Sequence, residues 1–438
     1  MSEEATSVSE RMRSDWNQRA KEDPHYYVAF GGRDQDEESF LATAVDILRF
    51  LESELKRLPK SASLRALEIG CGLGRLMKPL SRHFSEIHGV DVSDEMIRLA
   101  RERLRDVPHA HAHVTNGANL TQFAGDWFDF VYSYAVFQHI PSRDVVLEYM
   151  KEIRRVLKPG GIFRGQFNGL PQSGSPDTWS GVTFSANDIR RFTRENGLQL
   201  LDLTGVDTQY MWTTWKKPVP QLTTRHLQPI IHRLTNAFSW EPMIPNRGRH
   251  SAVSIWMRNL PAETDLNNLD VVIDGLPGIL LYIGPLGGDG LQQVNAWLPA
   301  GVRTGLVPVE ILCNGSRLCE PEMVRIVPAG PPVPRIVSIT DGVNLAQRNA
   351  STTGLLKIQV EEISSPESIT ATIDGQPLER LELPCVDPRI PRYEVNFRLP
   401  KHLPTGRYRL DVIVGLRRLL PAEIDVSAAI QAPKPQSA

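Results

Sequence analysis

Short apolar runs and helical stripes alternate along the first half of the chain. Leu64, Ala66, Leu67 and Ile69 form an apolar run suited to a buried parallel strand. Leu76, Leu80 and Phe84 then repeat at helical spacing. Upstream, Phe40, Ala44, Ile47, Leu48, Leu51 and Leu55 predict one amphipathic helix, with Pro59 as its stop. A second strand covers Ile87–Val92. Ser93 caps a helix through Met96, Ile97, Ala100 and Leu104. A third strand starts near His109 and closes at Asn116-Gly117, and a fourth runs from Phe128 to Tyr134. Arg143–Leu157 reads as a helix that a proline–glycine turn ends before a fifth strand, Ile162–Phe167. Phe184–Gly197 is a further helix, with Ser185 and Asp188 in capping-box spacing. Leu198–Val206 and Tyr210–Trp215 complete seven strands, so this half predicts an α/β sheet.

The second half switches to period-two alternation broken by proline and glycine. A proline-bearing stretch, 219–249, reads as a linker, with a helix over 226–238. Beyond it the chain repeats itself at an offset of about one hundred residues. Ile273-Asp274-Gly275-Leu276-Pro277 recurs as Ile373-Asp374-Gly375-Gln376-Pro377, and Val294-Asn295 as Val395-Asn396. Each repeat predicts a small β-sandwich, over 250–331 and 332–428. Asp274 and Asp374 stand in D-G turns, which account for them without chemistry. Residues 1–60 read as a helical cap, 61–218 as the core and 429–438 as a disordered tail.

The candidate chemistry lies in Leu67–Arg75, LEIGCGLGR. Gly70, Gly72 and Gly74 fall between strand and helix, where a sharp turn needs positive φ or close backbone approach. That is the end of the sheet at which open α/β folds bind ligands. Arg75 stands where a dinucleotide loop needs its third glycine, and no G-K-[ST] phosphate loop is present. Glu68 before the first glycine suits a cationic ligand better than a pyrophosphate. Asp91 ends the second strand seventeen positions after Gly74, near the distance at which an acid bonds ribose hydroxyls.

These residues, with FDFVYSYAVFQHI at Phe128–Ile140 and VLKPGG at Val156–Gly161, resemble the class I S-adenosylmethionine (SAM)-dependent methyltransferases, in particular the methyltransferase type 11/UbiE-like small-molecule group. The resemblance spans Leu64–Pro218. It implies a Rossmann-like seven-stranded methyltransferase sheet with S-adenosyl-L-methionine as cofactor. The implied cofactor-binding residues are Glu68, Gly70, Cys71, Gly72, Gly74, Asp91, Val92, Asn116, Gly117 and Ser133. Tyr134 and Gln138 should face the acceptor. His139 either acts as a general base or fixes its loop. Tyr26 and Tyr27 either fold over the site as a lid and touch the substrate or pack on the domain flank. The two repeats resemble immunoglobulin-like IPT/TIG-type modules and carry no convergent acid, base or nucleophile.

Composition narrows the rest. Of 438 residues, 41% are hydrophobic and 23% charged, as in a globular protein of two or three domains. Lys plus Arg at 49 against Asp plus Glu at 51 gives a net charge of −2 and no argument for a nucleic-acid partner. The amino terminus has no signal-peptide core, and no apolar run spans a membrane, so a cytoplasmic location is the default. Four cysteines are too few for a disulfide scaffold; Cys313 and Cys319 either stay free or pair across Asn314-Gly315. His109, His111 and His113 alternate, but a metal site needs further ligands, and none is expected. The expected function is methyl transfer to a small molecule, glycan or carrier-bound metabolite, with a possible protein or glycan partner on the repeats. The alternatives are a non-catalytic SAM-binding adaptor and a nicotinamide-dependent oxidoreductase.

Overall fold

The computed structural model of the protein describes residues 3–29, 36–170, 174–220, 227–330, 333–343, 347–387, 391–401 and 403–427. The expected tail, 429–438, lies outside the described residues, as do Phe30, Gly31 and Gly32. The chain divides into two units, Met1–Pro24 with Ala44–Ala329, and His25–Thr43 with Gly330–Ala438. The helix expected across residues 40–55 is therefore two helices, Glu37–Ala42 and Val45–Leu55. The Thr43 hydroxyl donates to the Phe40 carbonyl and ends the first of them.

In the first unit the seven expected strands appear, β1 (Arg65–Ile69), β2 (Glu86–Asp91), β3 (Ala110–Val114), β4 (Phe128–Ser133), β5 (Leu157–Phe167), β6 (Gln199–Thr204) and β7 (Met211–Lys216), with β5 starting at Leu157 so that the expected proline–glycine turn is part of the strand. They run β3-β2-β1-β4-β5-β7-β6, with β7 antiparallel to both neighbours. The β4 positions are all buried, as a strand covered on both faces requires. Ser93, Ser142 and Ser185 cap the helices Asp94–Arg103, Arg143–Val156 and Ala186–Glu195, and Ser185 with Asp188 closes the expected capping box.

The sheet does not stop at β6. Ten further strands follow: β8 (Ile230–Asn236), β9 (Met243–Pro245), β10 (Ala252–Arg258), β11 (Leu269–Ile273), β12 (Leu276–Pro277), β13 (Ile279–Leu286), β14 (Gln292–Trp297), β15 (Gly305–Cys313), β16 (Ser316–Arg317) and β17 (Glu322–Val327). Strand β13 pairs antiparallel with β6, so among the described residues one eleven-stranded sheet runs from β3 to β6 and on through β13-β14-β10-β8. A second sheet, β12-β11-β15-β17-β9, faces it. The stretch 219–249 thus supplies a strand to each sheet. Residues 230–236 are extended where a helix was expected, because β10 offers them a ladder of partners from Arg258 to Val253. Buried side chains of the α/β core and of this β-layer form one apolar cluster, from Leu67 through Leu203 and Leu266 to Ile326.

The second unit repeats the same pattern on its own core. Its sheets order as Arg335–Asp341, Leu355–Glu361, Arg392–Arg398, Glu379–Glu382 and as Ala350–Ser351, Ala422–Val426, Gly406–Val414, Ile369–Ile373, Gln376–Pro377. Strand for strand these match β8-β10-β14-β13 and β9-β17-β15-β11-β12. The internal repeat is therefore a repeat of topology, and its apolar positions, such as Ile358, Val395 and Val412, meet between the sheets. Among the described residues no helix is long and apolar enough to cross a membrane, and the four cysteines are free.

A chain ending at Pro218 should melt at least about 5 °C below one ending at Ala329, because it exposes the β6 edge and the apolar surface under Leu266. Equal melting temperatures in a thermal scan would show that the α/β half is independent of the β-layer.

Candidate functional site

The glycine loop is tied to the end of β2 by its own backbone. The Gly70 and Cys71 amides both donate to the Val90 carbonyl, at 2.8 and 3.0 Å. Gly70, Gly72 and Gly74 have φ of +69°, +49° and +73°, a region that costs any other residue strain. Asp91 completes the tie: one carboxylate oxygen accepts from the Gly72 amide and the other from the Ser93 amide, each at 2.9 Å. A carboxylate has about four acceptor sites, so capacity remains for a ligand. Burial raises the Asp91 carboxyl, and the three backbone amides of Ser93, Gly72 and Val92 oppose that rise.

Glu68 lies under the loop, 4% exposed, and accepts from the Tyr132 hydroxyl at 2.9 Å. Burial pushes its carboxyl up to about 8, against the pull of Tyr132 and of Arg75. The site therefore holds an acid close to neutral charge, which a cation would ionise. The Cys71 thiol points into the core, where burial raises it well above its usual value. Ser133 is fully buried and donates to the Ile69 carbonyl at 3.1 Å, tying β4 to β1. At the end of β3, the Asn116 side chain accepts from the Ala118 and Asn119 amides at 2.9 and 3.0 Å. Gly117 has φ of +76°, and a Cβ there would stand 2.8 Å from Val92. The loops after β1, β2 and β3 thus bring Glu68, the three glycines, Asp91, Val92, Asn116 and Gly117 to one edge of the sheet.

The residues expected on the acceptor side follow β4. Tyr134 stacks on Trp212 at 5.7 Å, and Trp212 on the half-exposed Phe50 at 6.0 Å. Gln138 is buried and accepts from Gln166 at 2.9 Å, while the Gln166 carbonyl oxygen takes the Ala135 amide at 2.9 Å. Gln166 was not singled out from sequence; a glutamine in the apolar run of the fifth strand was the available signal. His139 is 6% exposed, with Nδ1 2.7 Å from the Trp179 carbonyl. That contact assigns the proton to Nδ1, and burial lowers the ring to about 4, so the imidazole is neutral at physiological pH. Tyr26 and Tyr27, edge-on at 5.1 Å, belong to the second unit.

A further wall is the helix Glu3–Glu22, within the stretch expected to be a helical cap, whose docking residues were not singled out from sequence. Asn17 accepts from the Ser93 hydroxyl at 2.7 Å and the Glu95 amide at 3.2 Å. Arg13 donates to the Thr115 carbonyl at 3.0 Å, and Arg19 to the Thr178 carbonyl at 2.9 Å. Trp16 meets His139 edge-on at 5.5 Å. One helix therefore pins the loops after β2 and β3 and the segment that His139 holds. The polar positions Arg13, Asn17 and Arg19 gave no apolar stripe to flag this docking.

The histidines of β2 and β3 form a separate cluster, with His88 Nδ1 3.1 Å from His113 Nε2. Among the described residues no group of three or more His, Cys, Asp or Glu is arranged to hold a metal.

The profile of a family described as "Methyltransferase domain" matches residues 67–164, the span from the glycine loop into β5. Residues 67–164 therefore resemble a methyltransferase domain. The chain is 32% identical to Methyltransferase GfsG of Streptomyces halstedii over 117 residues, 26% of this chain and 41% of that one. It is 33% identical to phosphoethanolamine N-methyltransferase 2 of Caenorhabditis elegans over 196 residues, 44% and 43% of the two chains. Trans-aconitate 2-methyltransferase of Rhodopseudomonas palustris matches at 32% over 136 residues, 30% and 50%. The chain thus spans half or less of the length of these relatives. The cofactor of the methyltransferase domain is S-adenosyl-L-methionine, and the donor set fits it. Asp91 has acceptor capacity to spare for ribose hydroxyls, Glu68 suits an ammonium group, and no lysine or phosphate-type cradle competes.

His139 makes stability fall in acid. Its folded value near 4 lies below the ordinary 6.5, so between these pH values the unfolded chain binds a proton that the native chain does not. Going from pH 7 to pH 5 should cost about 2 kcal/mol on this account. His88, also lowered to about 4 by burial and by His113 and His111, adds to it in the same direction. The drop in melting temperature between those pH values should shrink in His139→Gln; an unchanged drop would remove His139 as the cause.

Proposed function

We propose that this protein transfers a methyl group from S-adenosyl-L-methionine to a small polar acceptor, held at the end of the sheet where β1, β2 and β4 stop. The observation that carries the reading is the Asp91 carboxylate, which fixes the glycine loop through Gly72 while keeping acceptor sites open. Bound cofactor supplies an electrophilic methyl on a sulfonium sulfur. The chain's part is to bind, align and exclude water. Asp91 bonds the ribose, Glu68 neutralises the amino group, and the backbone of Gly70, Gly72 and Gly74 gives close approach. Asn116 and Gly117 edge the adenine. The helix Glu3–Glu22 covers the loops and keeps them in place.

On the acceptor side, Tyr134 and Gln138 form the wall, with Trp212 and Phe50 extending it. His139 acts as a positioning residue rather than a base, because its basicity is low and its Nε2, the atom that would take a proton, already lies 3.3 Å from the Gln138 side-chain nitrogen. No other group near the methyl is needed as a base if the acceptor arrives as a good nucleophile. The repeats read as immunoglobulin-like modules on their duplicated two-sheet topology.

Incubating the protein with methyl-labelled SAM and cell extract should label a small molecule or glycan; absence of any labelled product, with SAM still bound, would leave a binding adaptor. Asp91→Ala should weaken SAM at least tenfold by calorimetry, since charged hydrogen bonds contribute about 1.5–3 kcal/mol each. Glu68 predicts a pH effect. Its carboxyl sits near 8, so a cation must displace a proton below that pH. SAM affinity should rise from pH 6.5 to pH 8, by up to about tenfold per pH unit, with proton release on binding. In Glu68→Gln that slope should vanish; a slope equal to that of the native protein would clear Glu68 of the role.

A further inference from the structure

The outer face of the sheet built by β8, β10, β14 and β13 has an unusual composition. Its inner face is apolar, with Val253, Ile255, Val294 and Ile283 buried. The outer face carries hydroxyl, amide and indole groups. These four strands, IIHRLTN, AVSIWMR, QQVNAW and ILLYIGPL, contain Arg233 and Arg258 but no aspartate or glutamate. Exposed sheet faces ordinarily mix both signs of charge.

A turn folds aromatic rings onto this face. Asn236, 2% exposed, accepts from the Phe238 and Ser239 amides at 2.8 and 3.1 Å and donates to the His250 carbonyl at 2.7 Å. The turn places Trp240 at φ +64°, a costly conformation for so bulky a residue. Burial does not repay that cost, because Trp240 is 60% exposed and Phe238 48%. Strain kept without burial marks a residue held for a task outside the fold.

The rings form two pairs. Trp240 lies 5.3 Å from Trp256, whose ring also carries the Arg233 guanidinium at 4.8 Å. Phe238 lies 5.8 Å from Trp297. Among them the Ser254 hydroxyl donates to Asn295 at 2.7 Å, and the Gln293 amide donates to both Ser254 and Asn295 at 2.9 Å. Ser254 is buried, 2% exposed, and orients the half-buried Gln293 and Asn295 side chains before any partner arrives. Exposed ring faces suit the C–H faces of sugar rings, and fixed amides and hydroxyls suit their hydroxyls. The four strands carry cations and no carboxylate, and the acid of the turn, Glu241, accepts from the Ser239 hydroxyl at 3.1 Å, a balance that suits an acidic sugar. Nucleic acid would need many more cations than this face offers.

We propose that this face binds an oligosaccharide containing acidic sugars. It lies on the β-layer, away from the cofactor loop, and needs no methyl transfer to be occupied. The test is affinity electrophoresis of the full chain in native gels cast with alginate, hyaluronan or uncharged dextran. Alginate or hyaluronan should retard the protein, and dextran should do so weakly or not at all. Trp240→Ala and Arg233→Gln should each reduce that retardation at least fivefold. Both should bind SAM as the native chain does, which shows them folded. Retardation in none of the gels, or retardation unchanged in both variants, overturns the proposal. Equal retardation by dextran overturns its acidic part. A dimer in sedimentation that Trp240→Ala converts to monomer assigns the face to a second copy instead.

Discussion

A strand at the edge of a sheet must be closed, and the closing of β6 governs how this chain is put together. Leu200 has both its backbone groups satisfied from outside the seven-stranded sheet. Its amide donates to the Asp265 carboxylate at 3.1 Å, and its carbonyl accepts from the Leu266 amide at 2.8 Å. Gln199 reaches the Ala262 carbonyl at 2.8 Å, and Asp202 pairs with Tyr282 of β13. The edge is therefore extended, which removes an aggregation hazard and fuses two layers into one cooperative core. That closure also permits the buried ion pair of Arg164 and Asp202. Thr214 shares the Arg164 donor at 2.9 Å. With water admitted, such a pair would lose most of its worth, and with one partner removed it would leave a buried charge.

The same continuity links chemistry across the sheet. Directly paired residues share a face, so the registers define one row: Glu68, Tyr132, Arg164, Thr214, Asp202, Tyr282, Asn295, Ser254 and Thr235. Every member is polar. The row begins under the glycine loop and ends on the outer face of the β-layer. Over its first five members the chain excludes water, and that exclusion is what raises the Glu68 carboxyl; of the last three, Asn295 and Thr235 are half-buried on the outer face, with the buried Ser254 between them. One register thus serves as a buried electrostatic support at one end and as a presented polar surface at the other.

The α/β half was legible because its signals are local. Strand runs, capping serines, glycines before Arg75 and the acid at Asp91 each sit within a few residues of the feature they create. The β-layer was legible as a repeat, since turns such as Asp274-Gly275 and Asp374-Gly375 recur at one spacing. What was hidden depends on partners distant in sequence. Residues 230–236 carry no clean alternation, yet β10 makes them a strand. A helical cap was expected over 1–60, but not which residues of Glu3–Glu22 dock it, because polar side chains do the docking. Arg164, Gln166 and Asp202 read as misplaced polar residues in apolar strands until the cross-strand register puts them beside one another.

Burial separates two roles that sequence could not. Glu68 and His139 are both ionisable and both nearly inaccessible, and both stand near the proposed methyl-transfer site. Desolvation drives each towards its neutral form, the acid upward and the imidazole downward. For Glu68 the result is an acid poised near neutrality, which an arriving cation can ionise. For His139 the result is a ring that holds a carbonyl and stays uncharged. The same physical cause therefore acts on both, and the difference lies in what each group faces: the Tyr132 hydroxyl and Arg75 beneath the glycine loop for Glu68, and the Trp179 carbonyl with the Trp16 ring for His139.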